Sequence, residues 1–180
     1  TYLAPILQQV TGFSANAVSG VLLVYGVSVA FGNVWGGRLA DRLGPVPALK
    51  RIFALLALVL LVLTFTAYSP WLVLLTVLAL GAVAFGNVPG LQVYVVTQAQ
   101  RHAPQATDVA SGLNIAAFNI GIALGASLGG LVVEHIGLMH TPWLGALVVL
   151  GALGLTVLSG RLDRRDGVAD RVDGIAVTAH

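Results

Sequence analysis

The sequence predicts an all-α bundle of helices that cross a membrane several times. Hydrophobic residues make up 57% of its 180 residues and charged residues 9%, whereas soluble domains hold about 45–50% and about 25%. Apolar runs near the length needed to cross the hydrocarbon core, about 20 residues, recur along the chain. Because lipid offers no hydrogen-bond partners to the backbone, we expect each run to be a helix.

The apolar runs predict five complete spans, preceded by a short apolar stretch at residues 1–9. The expected bounds are residues 17–39, 48–67, 71–97, 109–133 and 143–159. Proline cannot continue a helix past its first turn, and the turns between spans are marked by Pro45, Pro47, Pro70, Pro104 and Pro142. We expect a membrane bundle at residues 1–160. The stretch at residues 1–9 is expected to be the end of a truncated helix, which makes the chain the C-terminal part of a longer protein.

The distribution of charge predicts an orientation in the membrane. If the spans alternate in direction, all 9 lysines and arginines lie in loops or the tail on one side. Positive charge marks the cytoplasmic side of a membrane protein. Residues 161–180 hold four arginines and four aspartates, and such a polar segment is expected to be a disordered tail in the cytoplasm.

Several function classes are not supported by the sequence. There is no cysteine, so no thiolate metal site or disulfide is expected. The histidines, His102, His135, His140 and His180, lack metal-ligand spacing and a nearby nucleophile arrangement. We therefore expect neither an enzyme nor a bound metal or cofactor. The basic residues lie between apolar runs without interleaved aromatic residues, which argues against nucleic acid as a partner.

One nine-residue pattern occurs twice, as GGRLADRLG at residues 36–44 and as GGLVVEHIG at residues 129–137. Three expected crossings separate the copies, so the two copies lie on opposite faces of the membrane and the repeat is inverted. The second copy has Leu131 for Arg38, Glu134 for Asp41 and His135 for Arg42. Loss of both arginines fits a site on the outer face. Inverted three-helix repeats are typical of secondary transporters, and chance similarity between glycine-rich helices is the alternative.

Glycines precede both copies at matching positions. Gly32 and Gly36 correspond to Gly125 and Gly129, and Gly121 extends the second series by one further four-residue step. Small residues at this spacing allow helix backbones to approach closely in lipid. We therefore expect close helix packing along both stripes.

The loop motif Gly37-x-x-x-Asp41-Arg42-x-Gly44 resembles the loop signature of the major facilitator superfamily. Asn87-x-Pro89-Gly90 and the run SGLNIAAFNIGIALGASLGG at 111–130 are similar to the C-terminal half of bacterial drug/proton antiporters and sugar-efflux permeases. The resemblance covers the chain to about residue 160. It implies the C-terminal six-helix half of a twelve-helix transporter, with its first helix truncated and its N-terminal half missing.

The resemblance also implies a conformational role for the loop motif. Gly37, Asp41, Arg42 and Gly44 would belong to a cytoplasmic latch that holds one access state, with a plain interfacial ion pair as the alternative. Separately, Pro89 and Gly90 are expected to bend the third expected span, residues 71–97, because proline removes a backbone hydrogen bond. We consider this bend a candidate gate.

Polar side chains within the spans predict a cavity wall. Such groups are costly in lipid and tend to face the bundle interior. The substrate-cavity candidates are Asn33, Asn87, Gln92, Tyr94, Asn114 and Asn119. Spans 48–67 and 143–159 carry no amide side chain and are expected to be peripheral. The alternative is that the amides only join helices to one another.

These observations favour a secondary active efflux permease in the bacterial cytoplasmic membrane. Its expected substrate is a small amphipathic or drug-like compound, as in multidrug resistance, exchanged for protons by alternating access. Sugar or metabolite efflux and a non-transporting membrane sensor or scaffold are the alternatives. No carboxylate falls in the middle of an expected span, so a proton-coupling acid is expected in the missing half.

Overall fold

The computed structural model describes the backbone of residues 2–178 and the side chains of residues 2–163. Every element in this part of the chain is helical. A short helix α1 (Leu3–Pro5) continues as a π-helical turn (Ile6–Val10), and the longer helices are α2 (Ala15–Leu43), α3 (Pro45–Thr66), α4 (Pro70–Ala84), α5 (Asn87–His102), α6 (Thr107–His135) and α7 (Thr141–Thr178). Single 3-10 turns, Pro104–Ala106 and Leu138–His140, lead into α6 and α7.

Five stretches of these helices are long and apolar enough to cross a membrane. They are Ala15–Leu43, Pro45–Thr66, Pro70–His102, Pro104–His135 and Leu138–Asp163. Each corresponds to one expected span, so the prediction of an all-α, multi-pass membrane bundle is confirmed. The predicted disordered tail, residues 161–180, lies largely outside the described side chains, and both its disorder and its cytoplasmic location stay predictions.

The third span is divided into two helices at the place where the sequence predicts a bend. Helix α4 ends at Ala84, and α5 begins at Asn87. A proline ring collides with the carbonyl group four residues earlier in a continuous helix, and for Pro89 that residue is Phe85. The helix therefore stops before Phe85 and restarts with Pro89 in the first turn of α5, where the missing N–H costs nothing.

Both copies of the repeat end on a glycine with the same unusual backbone conformation. Gly44 has φ 82° and ψ 158° after α2, and Gly137 has φ 116° and ψ 157° after α6. This region of backbone space is essentially restricted to glycine. The final glycine of each copy therefore reverses the chain in the same manner, which supports the structural equivalence of the two copies.

Replacing either repeat-ending glycine with alanine should destabilise the protein. We expect Gly137→Ala to lower the free energy of unfolding by about 1–3 kcal/mol, because a Cβ strains this backbone conformation. The thermal midpoint of the purified full-length protein measures the loss. Gly154→Ala in α7 is the matched control, since an added Cβ there meets nothing within 4 Å. Equal midpoints for the two variants would contradict the prediction.

Helix α3 packs against α7, α4, α5 and α2, with its most extensive contact to α7. One buried cluster consists of Leu7, Val18, Leu63, Val73 and Val77, and a second consists of Ile52, Leu56 and Val83. The side of α3 that bears Leu58 and Phe65 is exposed. An apolar exposed side of this kind is suited to contact with lipid, as expected for a peripheral helix.

Helix α6 is the least covered of the long helices. Gly129 is the single buried residue among its 29, and its main partner is α5. Helix α2 also leaves apolar side chains such as Leu23, Val27 and Phe31 exposed. Helices α2 and α6 therefore present long faces that no described residue of the chain covers.

Candidate functional site

The glycine stripe of α2 lies directly against the break between α4 and α5. A Cβ added to Gly32 would collide with the backbone of Ala82, and one added to Gly36 would collide with the backbone of Gly86. These collisions mean that the two backbones are in direct contact. Close packing along this stripe, expected from the sequence, is confirmed.

Two of the predicted gating residues meet at this contact. A Cβ on Gly37 would lie 3.8 Å from the Cβ of Pro89, so the first glycine of the loop motif is next to the proline that divides the third span. The next residue, Gly90, is buried against Leu49 of α3 and Ala40 of α2. A Cβ added there would lie 3.3 Å from a Leu49 methyl group and 3.8 Å from the Ala40 Cβ. The loop motif and the bend therefore form one contiguous region.

The charged residues of the loop motif are not buried in this contact. Asp41 and Arg42 are both exposed at the end of α2. Among the side chains of residues 2–163, no carboxylate lies within 4.0 Å of a lysine, arginine or histidine nitrogen. Asp41 and Arg42 therefore form no ion pair with each other or with any other described side chain.

Three polar side chains join α5 to α6. The amide nitrogen of Asn114 donates to the side-chain oxygen of Gln92 at 2.7 Å, and the amide nitrogen of Gln92 donates to the Ser111 hydroxyl at 2.5 Å. At the break before α5, the ring of Phe85 packs edge to face against Phe118 of α6, with centroids 6.3 Å apart. Two predicted cavity residues thus bind each other, which is the interhelical role that such amides often take.

Asn87 is the cavity candidate with an unsatisfied polar atom. Its side-chain oxygen is buried and has no hydrogen-bond partner among the described residues. It is also the first residue of α5, directly after the break in the third span. Since a buried acceptor without a partner costs about 1–3 kcal/mol, a movement of the break that brings this oxygen to a hydrogen-bond donor would be favourable.

The other cavity candidates are placed differently. The amide nitrogens of Asn33 and Asn119 donate to backbone oxygens of their own helices, at Val29 and Ile115. Tyr94 lies on the side of α5 that faces α7, where its hydroxyl donates to the Asp163 carboxylate at 3.1 Å. The six candidates therefore do not form one cluster.

Asp163 is a site residue that the sequence interpretation did not include, because it was assigned to the polar tail. The helix α7 carries it one turn beyond Ser159, to a position beside Tyr94 and Gln98. Asp163 lies four residues after Ser159, the last residue of the expected span. Residues four apart share one face of a helix, so this spacing was the signal that the sequence offered.

Comparison with known proteins agrees with this architecture. The family model described as Major Facilitator Superfamily matches residues 1–172. The chain is 54% identical over 166 residues to the MFS-type transporter YtbD of Bacillus subtilis, covering 92% of this chain and 42% of that protein. It is 37% identical to the inner membrane transport protein YdhP of Escherichia coli K12, covering 89% of this chain and 40% of that protein.

A third relative carries a substrate class in its name. The chain is 33% identical over 155 residues to a probable sugar efflux transporter of Mannheimia succiniciproducens, covering 86% of this chain and 37% of that protein. No solved structure matches the chain at a significant level. The chain thus spans about two fifths of the length of these relatives, with helices that correspond to a half-domain. It belongs to the major facilitator superfamily, a family of membrane transporters and not of enzymes.

Proposed function

We propose that this chain is the C-terminal half of a secondary active efflux permease of the bacterial cytoplasmic membrane. It would export a small amphipathic or drug-like compound in exchange for protons, and its second half would be an N-terminal bundle of the same protein. The basic loops and the C-terminal tail would face the cytoplasm.

The observation that carries the proposal is the unsatisfied side-chain oxygen of Asn87 at the break of the third span. The buried Asn87 oxygen has no partner among the described residues, and the Gln92–Asn114 pair lies further along α5. Discontinuous helices near the middle of the membrane often form transporter binding sites. A scaffold has no need of a buried amide that is left without a partner in its own half.

Alternating access fits the way in which the third span is divided. Its first part, α4, packs against α2, whereas its second part, α5, also binds α6 through Gln92. A break between differently attached segments is a suitable hinge, since a few residues at helix ends can absorb the change in backbone angles. The uncovered sides of α2 and α6 would face the other half across the substrate pathway.

The second candidate function is sugar or metabolite efflux. It is favoured by the printed name of the relative from Mannheimia succiniciproducens, a probable sugar efflux transporter. Amide side chains bind sugar hydroxyl groups as readily as polar groups of an amphipathic drug. The two candidates therefore rely on the same amide side chains and differ in the substrate that these accept.

Proton coupling would depend on a residue outside this chain. The carboxylates in the described side chains, Asp41, Asp108, Glu134 and Asp163, all lie at or near the ends of the membrane-length stretches. A proton relay in a transporter uses an acid within the membrane. We therefore expect the coupling acid in the N-terminal half.

The test is substrate accumulation in cells that lack their own efflux pumps and express the full-length protein. Lower dye or antibiotic accumulation that is abolished by an uncoupler supports drug/proton exchange. Export of labelled sugar without an effect on dyes supports the second candidate. No effect on any compound in either panel favours a sensor or scaffold.

The loop motif gives a prediction for the transport rate. Asp41→Asn should lower efflux by about tenfold at unchanged membrane abundance, since losing a charge-assisted contact in one access state costs about 1.5 kcal/mol. Efflux rates normalised to immunoblot signal measure the effect. Asp108→Asn, an equal charge change at the exposed start of α6, is the control. Normal efflux kinetics in Asp41→Asn would remove the latch from the mechanism.

A further inference from the structure

A second candidate binding site lies on the other side of α5, between α3, α5 and α7. It consists of two adjoining cavities that share Val46 and Tyr94 in their walls. The cavity nearer to the charged end of the helices has a volume of about 220 Å³ and the deeper one about 310 Å³. Together they form one continuous groove.

The end of the groove near the charged loops is polar. The Asp163 carboxylate accepts hydrogen bonds from the Tyr94 hydroxyl at 3.1 Å and from the Gln98 amide nitrogen at 2.5 Å. The Gln98 amide also donates to the Tyr94 hydroxyl at 3.2 Å. Both donors are neutral, so they fix the orientation of the carboxylate without neutralising its charge.

A positive charge lies in the wall of the same cavity. Arg101 is one helical turn beyond Thr97 and Gln98 on α5, and all three line the cavity together with Asp163. No described carboxylate is within 4.0 Å of Arg101. The cavity thus offers an anionic and a cationic group that do not pair with each other.

The deeper part of the groove is apolar. Leu49 and Phe53 form its buried floor, and Leu91 and Ala152 line it. Leu155 at its side is 68% exposed, so the groove is open along its length. Along α3, α5 and α7, the residues that line this part lie progressively farther from the charged loops. The apolar part of the groove therefore extends into the membrane.

From this arrangement we propose that the groove binds one phospholipid with an ethanolamine headgroup. The lipid ammonium group binds Asp163, the phosphate group binds Arg101, and an acyl chain lies between Phe53 and Leu155. An ammonium group with three N–H donors fits an oriented carboxylate, and a guanidinium group fits a phosphate. The polar end of the groove, with its two opposite charges, corresponds to the headgroup of such a lipid. The apolar end corresponds to an acyl chain.

The position of the groove separates it from the proposed transport pathway. Its lining residues come from α3, α5 and α7, and none comes from α2 or α6. Within the membrane, α3 and α7 carry no amide side chains, and the large exposed residues there, such as Leu58 and Leu155, are apolar. This groove therefore opens toward lipid, and its occupant is a bilayer component.

The test is native mass spectrometry of the full-length protein from nanodiscs that contain ethanolamine, choline and glycerol phospholipids with identical acyl chains. We expect one ethanolamine lipid to remain bound in preference to the others, because choline lacks N–H donors. Asp163→Asn should reduce its retention by about tenfold, as a lost hydrogen bond to a charged group implies. Arg101→Gln should reduce retention of ethanolamine and choline lipids alike, since both carry the phosphate.

The controls are Asp108→Asn and Arg51→Gln, which make the same charge changes at exposed positions outside the groove. Both should retain the lipid as the unaltered protein does. Leu155→Trp fills the open side of the groove with Asp163 intact, and it should also lose the lipid, which keeps the test valid if Asp163→Asn does not fold. Equal retention of ethanolamine and choline lipids, or unchanged retention in Asp163→Asn or in Leu155→Trp, would overturn the proposal.

Discussion

Replacing Gly36 with alanine should lower the free energy of unfolding by about 3 kcal/mol or more, which is the upper range for an overpacked site. The added Cβ would collide with the carbonyl group of Gly86. A backbone group in a helix cannot rotate away as a side chain can, so α2 and the α4–α5 break must separate. Close backbone packing is a main source of helix association in lipid, and this variant would remove it.

The same separation would disturb neighbouring contacts between α2 and α4. The Ser28 hydroxyl donates to the Leu78 carbonyl at 2.5 Å, and a Cβ on Gly81 would lie only 2.9 Å from the Tyr25 carbonyl oxygen. These contacts require the present distance between the helices. We therefore expect the effect of the single methyl group to extend along the whole interface.

The measurement is the thermal midpoint and the monodisperse fraction of the purified full-length protein. Gly151→Ala in α7 is the matched control, since its added Cβ meets nothing within 4 Å. Alanine in an exposed helix position is favoured over glycine by about 1 kcal/mol, so the control should be neutral or slightly stabilised. A Gly36→Ala midpoint equal to that of the control would mean that α2 does not contact the break in the assembled protein.

The spans and the break were predictable from the sequence because both depend on local chemistry. An apolar run of sufficient length has no alternative to a helix in lipid. Pro89 interrupts a helix wherever it occurs in one, although the break lies before Asn87, at Phe85, because the proline ring acts on the residue four positions earlier. The equivalence of the repeat copies also follows from local sequence, and Gly44 and Gly137 share one backbone conformation.

Contacts between helices were predictable only in part. The same glycine spacing occurs in α2 and α6, yet Gly32 touches the backbone of Ala82 whereas Gly121 and Gly125 have nothing within 4 Å. In the second stripe, Gly129 alone has a close neighbour, because a Cβ added there would collide with the ring of Tyr2. A glycine pattern indicates that a helix can be approached closely, but the partner is determined by distant parts of the chain.

The hydrogen-bond partners of the polar side chains also could not be predicted from the local sequence. Polarity indicated that Gln92, Tyr94 and Asn114 avoid lipid, and all three do bind polar partners. Helical phase alone could not indicate that Gln92 and Asn114 bind each other while Tyr94 binds Asp163 on the opposite side. These pairings depend on the relative rotation of α5, α6 and α7, which the whole bundle determines.

Replacing Asn87 with leucine should lower the efflux rate of the full-length protein by about tenfold, which is the effect of losing one hydrogen bond of about 1–1.5 kcal/mol. The buried Asn87 oxygen has no partner among the described residues. When the break moves during transport and uncovers this oxygen, a substrate group or a residue of the other half is therefore its expected partner. The rate is measured per molecule of protein in cells or in vesicles with an imposed proton gradient.

Stability distinguishes this role from simple attachment between helices. An amide that joins two helices leaves an unpaired partner when it is removed, and the free energy of unfolding falls. Asn87 leaves no such partner within this half, so Asn87→Leu should keep or slightly raise the thermal midpoint while efflux falls. Asn16→Leu, the same change at the exposed start of α2, should alter neither quantity. A lowered midpoint together with lowered efflux would assign Asn87 to packing, and unchanged efflux would remove it from the transport pathway.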